Sequence, residues 1–279
     1  RIGGHAIEAR IYAENPEKGF LPSIGALQHL RMPAAVEFEN GAVRIDAGVR
    51  EGDAISPYYD PMIAKLIVHG RDRAQALARM VQALAAFEVV GPATNVAFLG
   101  RLIASAPFAG ADLDTGLIER HHATLFPPAG EPPLAAVALA VARLAMPATS
   151  DRDPWAAPTG WRPSGSYVRR LSFAVDGTAL DAELTYRRDG WQLQCGSAQA
   201  LMTDIQADGR KLTLSLDGAR VQGSVVRAGD SFHVFHAGRH WVLDWSDPIA
   251  HAGAQETEGG RLTAPMPGKI VQLLVAAGA

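Results

Sequence analysis

Leu134-Ala135-Ala136-Val137-Ala138-Leu139-Ala140-Val141-Ala142-Arg143-Leu144-Ala145-Met146 is apolar on nearly every side, with Arg143 its one charge, and Pro147 stops it. A helix of that kind in water must be enclosed by other elements. It is shorter than the roughly 18 residues that a membrane span needs, and no other apolar stretch of the chain reaches that length. The downstream sequence supplies an enclosure. Asp176-Gly177, Asp189-Gly190, Asp208-Gly209 and Asp217-Gly218 are four Asp-Gly pairs flanked by alternating residues. Asp-Gly is favoured in two-residue hairpin loops, where positive φ is required.

The alternating segments are Leu171/Phe173/Val175, Leu180/Ala182/Leu184/Tyr186, Trp191/Leu193/Cys195, Leu201/Thr203/Ile205, Leu212/Leu214/Leu216, Val221/Gly223/Val225, Phe232/Val234 and Trp241/Leu243/Trp245. About eight antiparallel strands is the number at which a closed barrel holds side chains inside. The inward positions carry too few large residues to fill that interior unaided, and the oily helix upstream is the candidate plug for an eight-stranded β-barrel around a central helix; closure around that helix rests in part on a family resemblance. A hollow barrel carrying a small apolar ligand, lipocalin-like, is the alternative.

Upstream, Phe126-Pro127-Pro128-Ala129-Gly130 and Pro132-Pro133 read as a linker. The segment before it opens with His5 to Ala13, where Ile7, Ala9 and Ile11 alternate with Glu8 and Arg10 as in a half-buried strand. Val43 to Val49 is a second strand and Met62 to Val68 a buried third. Leu77, Met80, Val81, Leu84 and Phe87 then fall on one helical face, with Asp72 as N-cap and Gly91-Pro92 as the stop. Thr94 caps a second helix bearing Val96, Leu99, Leu102 and Ile103, and a short third lies near Leu117 to His121. Strands followed by helices define an α+β fold. Downstream, Asp247 to Gly260 is a polar connector, and Leu262 to Ala279 begins another strand pattern. The expected division is 1–126, 127–250, 251–261 and 262–279.

Composition narrows the function. Apolar residues make up 48% of 279, enough for packed cores. A net charge of −3 with no Lys/Arg run leaves no nucleic-acid footprint. The single cysteine, Cys195, excludes an internal disulfide and fits a reducing compartment; on an alternating strand it reads as a small buried apolar residue. No signal peptide is visible behind Arg1-Ile2-Gly3.

Gly4-His5-Ala6-Ile7-Glu8-Ala9-Arg10, Phe20-Leu21-Pro22-Ser23-Ile24-Gly25, Tyr58-Tyr59-Asp60-Pro61-Met62-Ile63-Ala64-Lys65-Leu66-Ile67 and Thr94-Asn95 stand in one order. In that order they resemble the C-terminal part of biotin carboxylases, the ATP-using components of biotin-dependent carboxylases. Asp153-Pro154-Trp155 with Gly160-Trp161-Arg162 resembles the subunit-contact domain of 3-methylcrotonyl-CoA carboxylase alpha subunits. Ala264-Pro265-Met266-Pro267-Gly268-Lys269-Ile270 looks like the opening of a biotinyl carrier domain. The resemblance implies a ligase that joins bicarbonate to biotin at the expense of ATP and Mg, working with a carboxyltransferase beta subunit in a hetero-oligomer. It implies a cytoplasmic location in a bacterium, the favoured source, or the mitochondrial matrix in a eukaryote. Propionyl-CoA and geranyl-CoA carboxylases share the same plan.

In Ala42-Val43-Arg44-Ile45-Asp46, Arg44 matches the family's arginine beside bicarbonate and biotin, which makes it the candidate catalytic and cofactor-binding residue. A fixed, permanently charged guanidinium suits negative charge developing on the biotin oxygen. Read without its neighbours, Arg44 is an ordinary charge on a strand. The phosphate loop, Mg-binding carboxylates and general base that the family uses are not visible here; Gly3-Gly4 satisfies no phosphate-loop spacing. The biotinyl lysine belongs to an Ala-Met-Lys-Met-like turn absent from this sequence, and Lys269 is not its equivalent. The expectation is an inactive fragment of the parent enzyme or, from another class, a non-catalytic assembly module.

Other candidates read as structural. Tyr58, Tyr59, Asp60 and Lys65 could form an acid/base set, but a turn at Ser56-Pro57, aromatic packing and a core strand explain them. His5 lacks a second metal ligand nearby. His121-His122 lacks a cysteine or paired carboxylate at ligand spacing. His233, His236 and His240 fall on neighbouring strands and read as barrel surface, with zinc as the alternative.

Overall fold

A computed structural model gives the structure over residues 3–128, 130–146, 160 and 162–247. The connector expected at 251–261, the carrier-domain opening at 262–279 and the Asp153-Pro154-Trp155 motif lie outside these described residues. The chain forms two compact units: one contains the segment through Ala83 and Val89–Thr115, the other contains Leu84–Glu88 and the chain from Gly116.

The first unit is built on a three-stranded antiparallel sheet. Its strands are β1 (His5–Tyr12), β2 (Val43–Ala47) and β3 (Met62–Gly70), in the order β1-β3-β2. Alternation sends Ile7, Ala9 and Ile11 of β1, Ile45 of β2 and Leu66 and Val68 of β3 into the core. The third strand is not buried throughout as expected: Met62 is 37% exposed, and Lys65 and Ile67 reach the other face.

Helix α1 (Arg73–Ala85) comes next in the chain. Asp72 caps it as predicted, its Oδ1 accepting the Gln75 N–H at 2.8 Å. The buried face is carried by Ala76, Met80, Ala83 and Leu84, with Phe87 just beyond the helix. Val81, expected on that face, is exposed, the alanines Ala76 and Ala83 being buried in its stead. Helix α2 (Val96–Ala104) buries Phe98 and Ile103. Its N-cap position is held by Asn95, not Thr94, and without a side-chain capping bond. The Asn95 side chain turns to β1 instead. Its Oδ1 accepts the Tyr12 N–H at 3.0 Å, and its Nδ2 donates to the Arg10 carbonyl and Glu14 Oε1, both at 3.1 Å. Leu117–Arg120 forms the short helical turn expected there.

In the second unit the oily run is helix α3 (Leu134–Ala145). Eight strands surround it: β4 (Tyr167–Val175), β5 (Thr178–Arg187), β6 (Gly190–Cys195), β7 (Ala198–Asp208), β8 (Lys211–Leu216), β9 (Ala219–Ala228), β10 (Ser231–His236) and β11 (Arg239–Trp245). Each pairs antiparallel with the next, and β11 returns to β4 through Phe173↔Trp245 and Ala174↔Asp244, closing the ring. Ala136 through Ala142 are buried on every side of the helix; Val137, Leu139 and Val141 are at most 1% exposed. Burying each of those three side chains is worth about 1.5–3 kcal/mol. They pack with Leu171, Phe173, Leu184, Leu193, Leu212, Phe232 and Leu243 from the ring. The axis is therefore occupied by protein, which disposes of the hollow-barrel alternative.

Every connection in the ring is a two-residue loop. Asp176-Gly177 and Asp217-Gly218 occupy their loops with positive φ at both residues, the arrangement expected. The other two Asp-Gly pairs are displaced by one residue. Gly209 opens the Gly209-Arg210 loop, whereas Gly190 starts β6, where a Cβ would stand 2.5 Å from the Met202 carbonyl oxygen. Strand β7 also departs from expectation. Ala200 and Met202 are buried rather than Leu201 and Thr203, because an irregularity between Thr203 and Gln206, with Asp204 at φ 51°, inserts one residue and resets the alternation before Ile205.

Candidate functional site

The outer face of the β1-β3-β2 sheet gathers five charged side chains. Register sets Arg10 opposite Lys65 and Lys65 opposite Asp46 in one row, with Glu8, Ile67 and Arg44 in the next. These residues share the face because each is an even number of positions from its strand neighbours, while Ile45 and Leu66 point inward.

Arg44 is the ordered centre of this face. Its Nε donates to Asp46 Oδ1 at 2.9 Å and to Oδ2 at 3.1 Å, and its Nη2 donates to Oδ2 at 2.8 Å. Such a two-pronged contact fixes the guanidinium plane. Asp46 also accepts the Phe38 N–H at 3.1 Å and lies 3.8 Å from Lys65 Nζ. The Arg44 hydrogen bond holds the Asp46 carboxyl below the usual carboxylate range, against the loss of hydration, and the Phe38 N–H assists. Reciprocally, the hydrogen bond to Asp46 raises the Arg44 guanidinium above its ordinary value. One arginine, one aspartate and one lysine leave a net positive charge, suited to an anionic oxygen. A cleft of about 280 Å³ opens beside Asp46, lined by Val49, Ile55, Ser56, Tyr59 and Met62.

The remaining candidates separate cleanly. Of the possible acid/base set only Lys65 reaches this face. Asp60 accepts the Met62 N–H at 3.1 Å and serves the turn. Tyr58 and Tyr59 do not pack as expected; they are 83% and 84% exposed, since the turn at Ser56-Pro57 carries both rings outward. Arg73 Nη1 donates to His5 Nε2 at 3.1 Å, a structural contact. His122 stacks on Phe126 with ring centroids 4.6 Å apart. His233 Nδ1 and His240 Nε2 share a 3.0 Å hydrogen bond, and His240 stacks on Phe235. Loss of hydration lowers the His233 imidazole below its usual value. Among the described residues no cluster of three or more His, Cys, Asp or Glu could hold a metal ion. Cys195 is half-buried and loss of hydration pushes its thiol upward. Sequence reasoning missed Asp46, although its place two residues after Arg44 was a legible sign of a shared face.

Residues 8–120 match the family described as biotin carboxylase C-terminal domain, and residues 131–248 match the methylcrotonyl-CoA carboxylase alpha-subunit BT domain. In both parts the chain is similar to the alpha subunits of biotin-dependent carboxylases. Relatives along its whole length carry a more particular name. The mitochondrial methylcrotonoyl-CoA carboxylase subunit alpha of Mus musculus is 33% identical over 297 residues, covering 99% of this chain and 40% of its own length. That of Dictyostelium discoideum is 29% identical over 300 residues, covering 100% and 42%. The chain thus spans about two fifths of these relatives. Among solved structures, the Hydrogenobacter thermophilus 2-oxoglutarate carboxylase biotin carboxylase domain, in complex with MgADP, ADP and bicarbonate, is 34% identical. That match covers 47% of this chain and 27% of the other, at a TM-score of 0.43. No described helix is long and apolar enough to cross a membrane.

Proposed function

We propose that these residues serve in the ATP-dependent carboxylation of biotin within the alpha subunit of an acyl-CoA carboxylase, with 3-methylcrotonyl-CoA as the downstream acceptor. In the parent reaction ATP, bicarbonate and biotin give ADP, phosphate and carboxybiotin, and a beta subunit passes the carboxyl group to the acyl-CoA. The observation that carries the reading is Arg44, clamped by Asp46 on a partly exposed sheet face with net positive charge. As the ureido N–H of biotin is deprotonated, charge builds on the ureido oxygen, and a preset guanidinium stabilises it without reorganising. ATP and Mg would be held by residues other than these. The agreement of two family matches in sequence order, and of whole-length relatives, supports the choice of acceptor over propionyl-CoA or geranyl-CoA.

The working division we adopt is 1–126 for the biotin carboxylase part, 127–250 for the ring and its helix, 251–261 for a connector and 262–279 for the start of a biotinyl domain. The ring would hold the alpha and beta subunits together in a hetero-oligomer, located in the mitochondrial matrix of a eukaryote or the cytoplasm of a bacterium. Arg44→Met in the complete alpha subunit tests the site. Bicarbonate-dependent ATP cleavage in the presence of free biotin falls by about 100-fold or more if the charge is needed; unchanged turnover overturns the role.

A second reading concerns the chain alone. As an isolated polypeptide it acts as an assembly module, without ATP cleavage; the filled ring favours this, its interior being packed with apolar side chains. A pull-down of the cognate beta subunit by the 279-residue chain tests it, and failure to bind counts against it.

A further inference from the structure

We propose that Asp46 is the positioning residue for Arg44, setting which edge of the guanidinium faces the reacting oxygen; this rests on the role just given to Arg44. A guanidinium carries five N–H donors in one rigid plane. Asp46 takes Nε–H and one Nη2–H, at 2.9 and 2.8 Å. The opposite edge, Nη1 and the second Nη2–H, stays available, two donors side by side for an oxyanion. Without the clamp, the long side chain would sample many rotamers and present no fixed edge.

Asp46 is suited to hold rather than to react. Its side chain is 9% exposed, and the Phe38 N–H at 3.1 Å fixes the carboxylate from a second direction. Phe38 holds φ 54°, a region that bulky residues seldom occupy. Lys65, 3.8 Å from Oδ2, restores the positive balance that a carboxylate would otherwise cancel. Asp46 therefore orients Arg44 while the face keeps its attraction for anions.

Positioning and plain electrostatics predict opposite outcomes. Asp46→Asn removes a negative charge, so charge alone favours anion binding and faster turnover. Loss of orientation predicts slower turnover with no loss of bicarbonate affinity. The experiment compares Asp46→Asn, Asp46→Glu and Arg44→Met in the complete alpha subunit, measuring kcat and KM for bicarbonate in biotin-dependent ATP cleavage. On the 279-residue chain, ¹H–¹⁵N NMR follows solvent exchange of the Arg44 Nε–H. Expected is a fall in kcat of about 10- to 100-fold for Asp46→Asn. KM for bicarbonate is unchanged or lower, Asp46→Glu recovers part of the rate, and Nε–H protection is lost in Asp46→Asn alone. An unchanged or raised kcat in Asp46→Asn overturns the inference. So does an Nε–H that exchanges in the unmodified chain as fast as in free arginine, a readout that holds even if the variant does not fold. Arg44→Met separates the two claims. Full activity there removes the role of Arg44 itself, whereas an inactive Arg44→Met beside a fully active Asp46→Asn removes only the positioning role.

Discussion

Replacing Gly223 by alanine probes the contact between α3 and the ring wall. A Cβ at Gly223 would stand 2.6 Å from Leu139 Cδ1 and 2.7 Å from the Phe235 carbonyl oxygen. Both are well inside van der Waals contact. The leucine methyl can swing aside, but the Phe235 carbonyl belongs to a paired strand and cannot move without disturbing β9–β10 pairing. Overpacking of a close-fitting core by one methyl costs about 1–3 kcal/mol. Leu139→Ala, at a fully buried position, costs about 2.7–5 kcal/mol through lost burial and the cavity left behind. Combined, the two changes partly relieve each other, because the alanine at 139 no longer carries the crowding methyl. The double variant should then be more stable than the sum of the singles by about 0.5–1.5 kcal/mol. Urea unfolding followed by tryptophan fluorescence is the assay. Trp191, Trp241 and Trp245 lie on ring strands, so the signal carries a report from the ring. Gly223→Ala that is neutral, or additive with Leu139→Ala, would refute the placement of Leu139 against β9.

Three further outcomes are expected. Asp46 titrates below its unfolded value, so its stabilising contribution is complete above the ordinary carboxylate range and is lost as pH falls from there through the lower folded value; Asp46→Asn should flatten the acid limb of the stability–pH curve. Asn95→Ala leaves the part-buried Tyr12 N–H and Arg10 carbonyl without this partner, destabilising the first unit by about 0.5–1.5 kcal/mol per lost hydrogen bond; hydrogen exchange at the Tyr12 amide checks it. Cys195, with its thiol pushed upward by loss of hydration, should react with a thiol reagent at pH 8 several-fold more slowly than an unfolded control, and equal rates would contradict its half-burial.

The enclosed helix was legible because an uncharged face all round leaves a soluble segment one option. The ring was legible because alternation and two-residue turns are local signals. Failures came where one residue shifts the frame. Nothing in Leu201-Met202-Thr203-Asp204-Ile205 announces the insertion at Asp204, so period-two reading places Leu201 and Thr203 inside. Gly190 reads as a turn residue, yet its lack of a side chain serves close approach to Met202. On α1 the buried face depends on the alanines Ala76 and Ala83, which hydrophobic spacing undervalues beside Val81. At the site, sequence pattern could place Arg44 on a strand, but its partner depends on rotamers and on the Phe38 segment folding back, neither of which is a local property.

The ring's seam has a mechanical consequence. Neighbouring strands are joined along most of their length, whereas first and last meet at Phe173↔Trp245 and Ala174↔Asp244, with Ser246 N–H donating to the Ser172 carbonyl at 2.9 Å. A rupture therefore starts there, like a clasp, at less expense than tearing any hairpin. The sheath could then unroll as a ribbon and uncover α3 without first breaking its other pairings. Amides at the clasp should exchange before those of β8 and β9, since local openings begin where cross-strand bonds are fewest.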